Sequence, residues 1–211
     1  MDNSKSIILS SSYFGSIEYY AQLVNTEKVT IDPNEHYIKQ TYRNRCIIET
    51  ASGPFPLIIP VTRPNGNHTK LKDILISNAE GWQKLHWRAI MTAYSNSPFL
   101  LFYQDELEPF YQKKFKFLFD FNQQLQEIML GFLKAKKSIL VSDSYLETFD
   151  SDTMDLRNAF SPKRKSESNF LPYIQVFEEK HGFLPNLSIL DLLLNEGPAS
   201  SDYLIEIGNN W

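Results

Sequence analysis

SIILSSSYFGSIEYYAQLV, residues 6–24, decides the architecture. Ile7, Ile8 and Leu9 form an unbroken apolar run that ends in serines, the pattern of a short buried strand over residues 6–11. Gly15 then marks a turn, and Ile17, Tyr20, Ala21 and Val24 recur at helical spacing. The chain therefore opens as strand, turn and helix.

Working outward, residues 28–32, 46–51, 55–62 and 71–77 are rich in Val, Ile and Thr and punctuated by Pro, Gly and Asn, which predicts strands. Pro56 and Pro60 cannot donate ladder hydrogen bonds, so their strand belongs on an edge or at a bulge. Pro64-Asn65-Gly66-Asn67 is a turn signal. From residue 77 the period changes. Ser77 and Glu80 form a capping box ahead of Trp82, Leu85, His86, Ala89, Ile90 and Ala93, predicting one amphipathic helix over 77–95 with Leu85, Ala89 and Ile90 facing the core. Beyond Ser95-Asn96-Ser97-Pro98, the spacing of Leu118, Phe121, Leu125, Ile128 and Phe132 predicts the longest helix, with Lys113, Lys114 and Lys116 outward. Residues 138–141 read as a strand. Residues 147–168 are polar and interrupted by Pro162, the pattern of a long surface loop, and residues 173–181 and 188–196 read as short helices ending at Gly182 and Gly197-Pro198. The fold class is α+β, with a mixed or antiparallel sheet in the N-terminal half, a helical C-terminal half and a single domain over residues 1–211.

Composition bounds the function. The chain has 211 residues, 42% of them apolar, which suits one folded core, and a net charge of −4, which argues against broad nucleic-acid binding because that requires an extended basic field. Cys46 is the only cysteine, no leader-like segment opens the chain, and no apolar window reaches the roughly 18 residues a membrane span needs. A cytoplasmic location is expected.

Six phrases, YFG (13–15), NEHYIKQTYRNRC (34–46), IPVTRPNGNHTKLKD (59–73), WQKLHWRAIMTAYSNSPF (82–99), LRNAFSPK (156–163) and FEEKHGFLPNLSILDLLLNEGP (177–198), occur in an order that resembles the WbqC-like family. Ser16 departs from the proline that such proteins often place after the glycine. The resemblance implies a bacterial process related to surface polysaccharide such as O-antigen. It further implies a transferase that modifies a nucleotide-linked sugar, by acyl or aminoacyl transfer, or a non-catalytic carbohydrate-binding or assembly factor in the same pathway.

Two polar clusters are candidates for a site. In the first, Arg43 and Arg45 alternate along an extended segment, so both guanidiniums would share a face, with Gln40 and Asn44 adding neutral hydrogen bonds. They either hold a phosphate or carboxylate or pair with acidic residues across the sheet. In the second, His68 is the candidate general base, with Asp73 as the carboxylate that would fix its tautomer and Asn65 and Lys70 alongside as substrate contacts; the same residues also suit a plain turn. Arg88 would reach ligand or solvent from its helix, His86 reads as a packing residue, and Trp82, Trp87 and Tyr94 at helical spacing either form core or offer a sugar-stacking platform. Arg157, Asn158, Lys163, Arg164 and Lys165 would either meet phosphates or form a solvated charge run. Cys46 reads as a small buried residue. The four histidines lack metal-ligand spacing and no Walker or GxGxxG loop occurs, so no metal or cofactor is implied; the partner implied is a nucleotide-linked sugar or glycan precursor.

Overall fold

The computed structural model describes residues 6–166 and 168–209. The opening forms as its pattern requires. Strand β1 (Ser6–Leu9) leads to helix α1 (Ile17–Asn25), whose cap is the Ser16 hydroxyl accepting the Tyr19 N–H at 3.4 Å, and strand β2 (Lys28–Ile31) returns parallel to β1 with Ile7 opposite Val29. Two antiparallel ribbons follow, β3 (Arg45–Thr50) with β4 (Gly53–Ile58), and β5 (Val61–Thr62) with β6 (Leu75–Ile76). Pro54 and Pro56 lie on β4, which within its ribbon pairs on one side only, so their missing N–H groups cost no ladder bond on the other.

Helices α2 (Trp82–Ala93), α3 (Leu100–Gln112) and α4 (Leu118–Phe132) come next, and α4 is the longest helix among the described residues. Helix α2 is shorter than residues 77–95. The Ser77 N–H is held by the Pro60 carbonyl at 2.8 Å, so the chain is still paired with the sheet region there, and the helix starts only after Gly81, whose φ of 60 turns the chain. The inward stripe is Trp82, His86, Ile90 and Ala93; Ile90 is buried and Ala89 half-buried, but Leu85 is 59% exposed. At roughly 100° per residue Leu85 falls about 60° to the other side of Trp82 from the centre of that stripe, which corrects its core assignment.

Strands β7 (Ile139–Val141) and β8 (Thr153–Asp155) complete a four-stranded sheet of order β7-β2-β1-β8 in which every neighbour is parallel. The α+β class stands. Among the named strands antiparallel pairing is confined to the ribbons, and the main sheet draws two strands from beyond α4. Residues 147–168 are correspondingly not only a surface loop, since they contain β8 and the buried Leu156, Arg157 and Phe160. Of residues 173–181 only α5 (Glu178–His181) is helical; α6 (Ile189–Glu196) follows, then α7 (Ser200–Asn209), which packs on α1. Between α6 and α7, Gly197 has φ +54, and a Cβ there would lie 2.5 Å from the Phe99 ring.

Buried residues from both halves form one apolar cluster that includes Ile7, Leu9, Tyr13, Ile48, Phe121 and Leu193. Within it the Tyr13 hydroxyl meets Nδ1 of His86 and the Tyr111 hydroxyl, each at 3.0 Å, so His86 is a hydrogen-bonded packing residue. Cys46 is buried, and burial pushes its thiol well above the ordinary range. Among the described residues no helix is long and apolar enough to cross a membrane.

Candidate functional site

Because the four strands are parallel, their carboxyl ends share one edge of the sheet. The segments leaving them carry Ser10, Ser11 and Ser12 after β1, Asp32 and Glu35 after β2, Ser142 and Tyr145 after β7, and Arg157 and Asn158 after β8. From β1 the order proceeds outward through β2 to β7, and then reverses to place β8 on the other side of β1. Ligands of open parallel sheets bind at the carboxyl edge beside such a reversal, because the connections diverge there and leave a crevice.

A network of buried charges closes that edge. Asp32, 0% exposed, accepts the Asn34 N–H (2.9 Å) and the Ser142 hydroxyl (3.0 Å) at Oδ1, and the Leu146 N–H (3.2 Å) and Arg157 Nη1 (2.7 Å) at Oδ2. Arg157 also forks onto Asp155, Nε at 2.9 Å and Nη2 at 2.6 Å, and lies 4.7 Å from the centre of the Tyr145 ring. Partial burial would raise the Asp155 pKa, but the hydrogen bonds and charge of Arg157 outweigh it and hold the carboxyl below its ordinary value. Arg43 forks onto Glu35, Nε at 2.9 Å and Nη2 at 2.6 Å; Nη2 also reaches the Arg157 carbonyl (3.0 Å) and Asn158 Oδ1 (3.1 Å), while the Ser10 hydroxyl donates to Glu35. Burying these ions is costly, and each is tolerated because its partner and hydrogen bonds are in place.

In front of the network lies a cleft of ≈ 450 Å³, lined by Asn34, Glu35, His36, Ile38, Lys70, Tyr145, Glu147, Asp155, Arg157 and Asn158. An antiparallel bridge between His36 and Lys70 docks the 66–73 turns against it, and the His36 and His68 rings meet edge to face at 5.8 Å. Lys70 and Glu147 have no ion pair among the described residues. Counting Arg43 behind the wall, three cations stand among four carboxylates (Asp32, Glu35, Glu147, Asp155), so the site is not a general anion sink. Behind Arg43 and Arg157 is a water-sized cavity bounded by Ser10, Ser11, Ser12, Tyr19 and Tyr42, where the Ser11 hydroxyl has no partner among the described residues. Among the described residues no His, Cys, Asp or Glu cluster is assembled to hold a metal.

The residues selected from sequence are scattered. Lys70 lines the cleft, and His68 sits beside it against His36. Arg43 lies behind the cleft wall, with three of its donor positions already engaged by Glu35 and the segment after β8. Arg45 is on β3 opposite Ile58 and does not line the cleft, so the two guanidiniums do not converge there. Asn44 is buried and donates to the Ile59 carbonyl at 2.8 Å, and Gln40 is exposed with φ 60. Asn65 is exposed at the turn, its N–H given to Thr69 Oγ1, and no hydrogen bond joins Asp73 to His68. Arg88 is exposed on α2, away from the lining. Asp32, Glu35, His36, Tyr145 and Asp155 were missed. Asp32 directly follows an apolar run, a signal for the carboxyl end of a strand, whereas Asp155 had none because β8 is hidden in a polar segment.

A family model described as the WbqC-like protein family matches residues 10–162, which takes in the cleft walls from Asn34 to Asn158. The chain is 28% identical over 226 residues to the uncharacterized protein Rv1507c of Mycobacterium tuberculosis (strain ATCC 25618 / H37Rv), an alignment covering 95% of this chain and 97% of that one. No solved structure matches.

Proposed function

The chain belongs to the WbqC-like protein family, and from that premise we propose that it is a transferase that binds a nucleotide-linked sugar in the carboxyl-edge cleft and passes an acyl or aminoacyl group to it during surface-polysaccharide assembly. The observation that supports this reading is the cleft's donor set. Carboxylates and carboxamides at Glu35, Asp155, Asn34 and Asn158 suit sugar hydroxyls, Tyr145 offers a ring face, and Lys70 with the two histidines suits a phosphate at the rim. In the chemical step His68 takes the proton from a sugar amine or hydroxyl as that group attacks the donor's carbonyl carbon; the carbonyl bond to the donor's carrier then breaks, and the carrier leaves with a proton. Such a base contributes on the order of 10² to 10⁴ in rate.

A second reading, a carbohydrate-binding or assembly factor without turnover, is favoured by two observations: among the described residues no carboxylate orients His68, and Arg43 is already taken by Glu35. Incubating the purified chain with nucleotide-sugar and acyl-donor mixtures, with mass spectrometry of the products, separates the two. A product whose amount tracks protein concentration supports the transferase; saturable calorimetric binding of a nucleotide sugar without any product supports the binding protein.

A further inference from the structure

On the far side of the water-sized cavity a second recess of ≈ 580 Å³ opens between residues 164–166 with 168–170 and residues 183–187. The two recesses are linked through shared walls. Arg157 belongs to both the cleft and the cavity, and Tyr42 to both the cavity and this groove. Its floor is apolar, formed by Ile47, Phe170, Phe183 and Leu187. The groove is braced from behind by Glu18, 8% exposed, whose carboxylate accepts the Ser168 hydroxyl and the Asn186 side-chain amide, each at 3.2 Å, and so ties the two walls together.

Two polar groups at this groove have no partner among the described residues. Tyr42 is 9% exposed, yet its phenol makes no hydrogen bond to any described residue, and the exposed Lys165 on the rim has no ion pair among the described residues. Burial, with the Glu18 charge adding to it, pushes the phenol up to about 12, so near neutral pH it is a hydrogen-bond donor. A phenol in the groove wall with no acceptor among the described residues can donate to a ligand seated there. One O–H donor and one ammonium beside an apolar floor match a carboxylate on a short hydrocarbon body, and the volume is that of a small-molecule site.

We infer that the Tyr42–Lys165 groove is a binding site for a small amphiphilic carboxylate, its oxygens held by the Tyr42 phenol and Lys165 and its hydrocarbon body laid on Phe170 and Phe183. As the second-substrate site of a two-substrate reaction the groove rests on the transferase reading above; as a binding site it does not.

Calorimetric titration of the full chain with octanoate, using 1-octanol as the uncharged comparison, tests it. One saturable octanoate site is expected, with Kd raised about tenfold in Lys165→Glu and several-fold in Tyr42→Phe, and with 1-octanol binding about tenfold more weakly. Lys165 is exposed and Tyr42→Phe keeps the ring, so both variants retain the fold. Absence of saturable binding, equal affinity in wild type and both variants, or equal affinity for octanol overturns the inference. Asn158→Ala, in the cleft, should leave octanoate affinity unchanged; a nucleotide sugar that fails to bind while octanoate binds refutes only the sugar reading, and the converse refutes only this one.

Discussion

Arg157 and Asp32, 125 residues apart in sequence, meet at 2.7 Å and join the carboxyl end of β8 to that of β2 across the intervening β1. Asp32 is fully buried, so this guanidinium is what compensates its charge. Arg157→Ala should therefore lower stability by about 3–5 kcal/mol, the usual cost of stranding a buried ion. Arg157→Lys should recover only part of that, since an ammonium cannot hold Asp32 and fork onto Asp155 at once. Urea denaturation measures both, and unchanged midpoints would contradict the network.

Arg43→Lys bears on the fold before it bears on any ligand. The fork onto Glu35 at 2.9 and 2.6 Å loses one arm, and a loss of about 1–3 kcal/mol is expected from charge-assisted bonds of this kind. A double-mutant cycle with Glu35→Gln should give a coupling energy of about 0.5–3 kcal/mol. Additive effects would mean that the two side chains do not act together.

His86 makes stability depend on pH. Burial lowers its pKa from 6.5 to about 4, with a hydrogen bond to the backbone of Ile58 opposing the shift. Above pH 6.5 the ring is neutral in both states. Between about 6.5 and 4 the unfolded chain takes up a proton that the folded chain refuses, so stability falls as pH drops, by about 3 kcal/mol at most for this one group. Comparing urea midpoints of wild type and His86→Gln at pH 7 and pH 5 isolates the effect. The variant should show the shallower dependence, and parallel curves would rule out a depressed His86.

Leu85 and Ile90 separate the faces of α2. Leu85→Asp should change stability by no more than about 0.5 kcal/mol, because the side chain is 59% exposed. Ile90→Asp places a carboxylate at a 0% exposed position and should abolish cooperative thermal unfolding or lower its midpoint sharply.

His68→Ala, at an exposed position, should leave thermal stability unchanged while cutting turnover of any functional substrate pair by about 10²-fold or more. Full activity in that variant would remove the general-base role from His68 and leave His36 as the remaining histidine of the pair.

Local pattern alone determined the opening strand, turn and helix, the strong apolar stripe of α4, the short strand at residues 139–141 and the stops at Gly182 and Gly197, because each depends on neighbours within a few residues. The helix at residues 82–93 was legible as a helix but not in its facing, since Leu85 and His86 both neighbour Trp82 on the helix surface and only the packing of His86 against Tyr13 selects it. Strand β8 has no apolar run of its own; Thr153-Met154-Asp155 is a strand because Ser6, Ile7 and Ile8 of β1 accept it in parallel register. The site followed the same division. Arg43, Arg157, His68 and Lys70 stood out by residue type, but Glu35 and Asp32 did not, because the pairs Arg43–Glu35 and Arg157–Asp32 are brought together by the order of parallel strands, a relation between distant segments that no local spacing records.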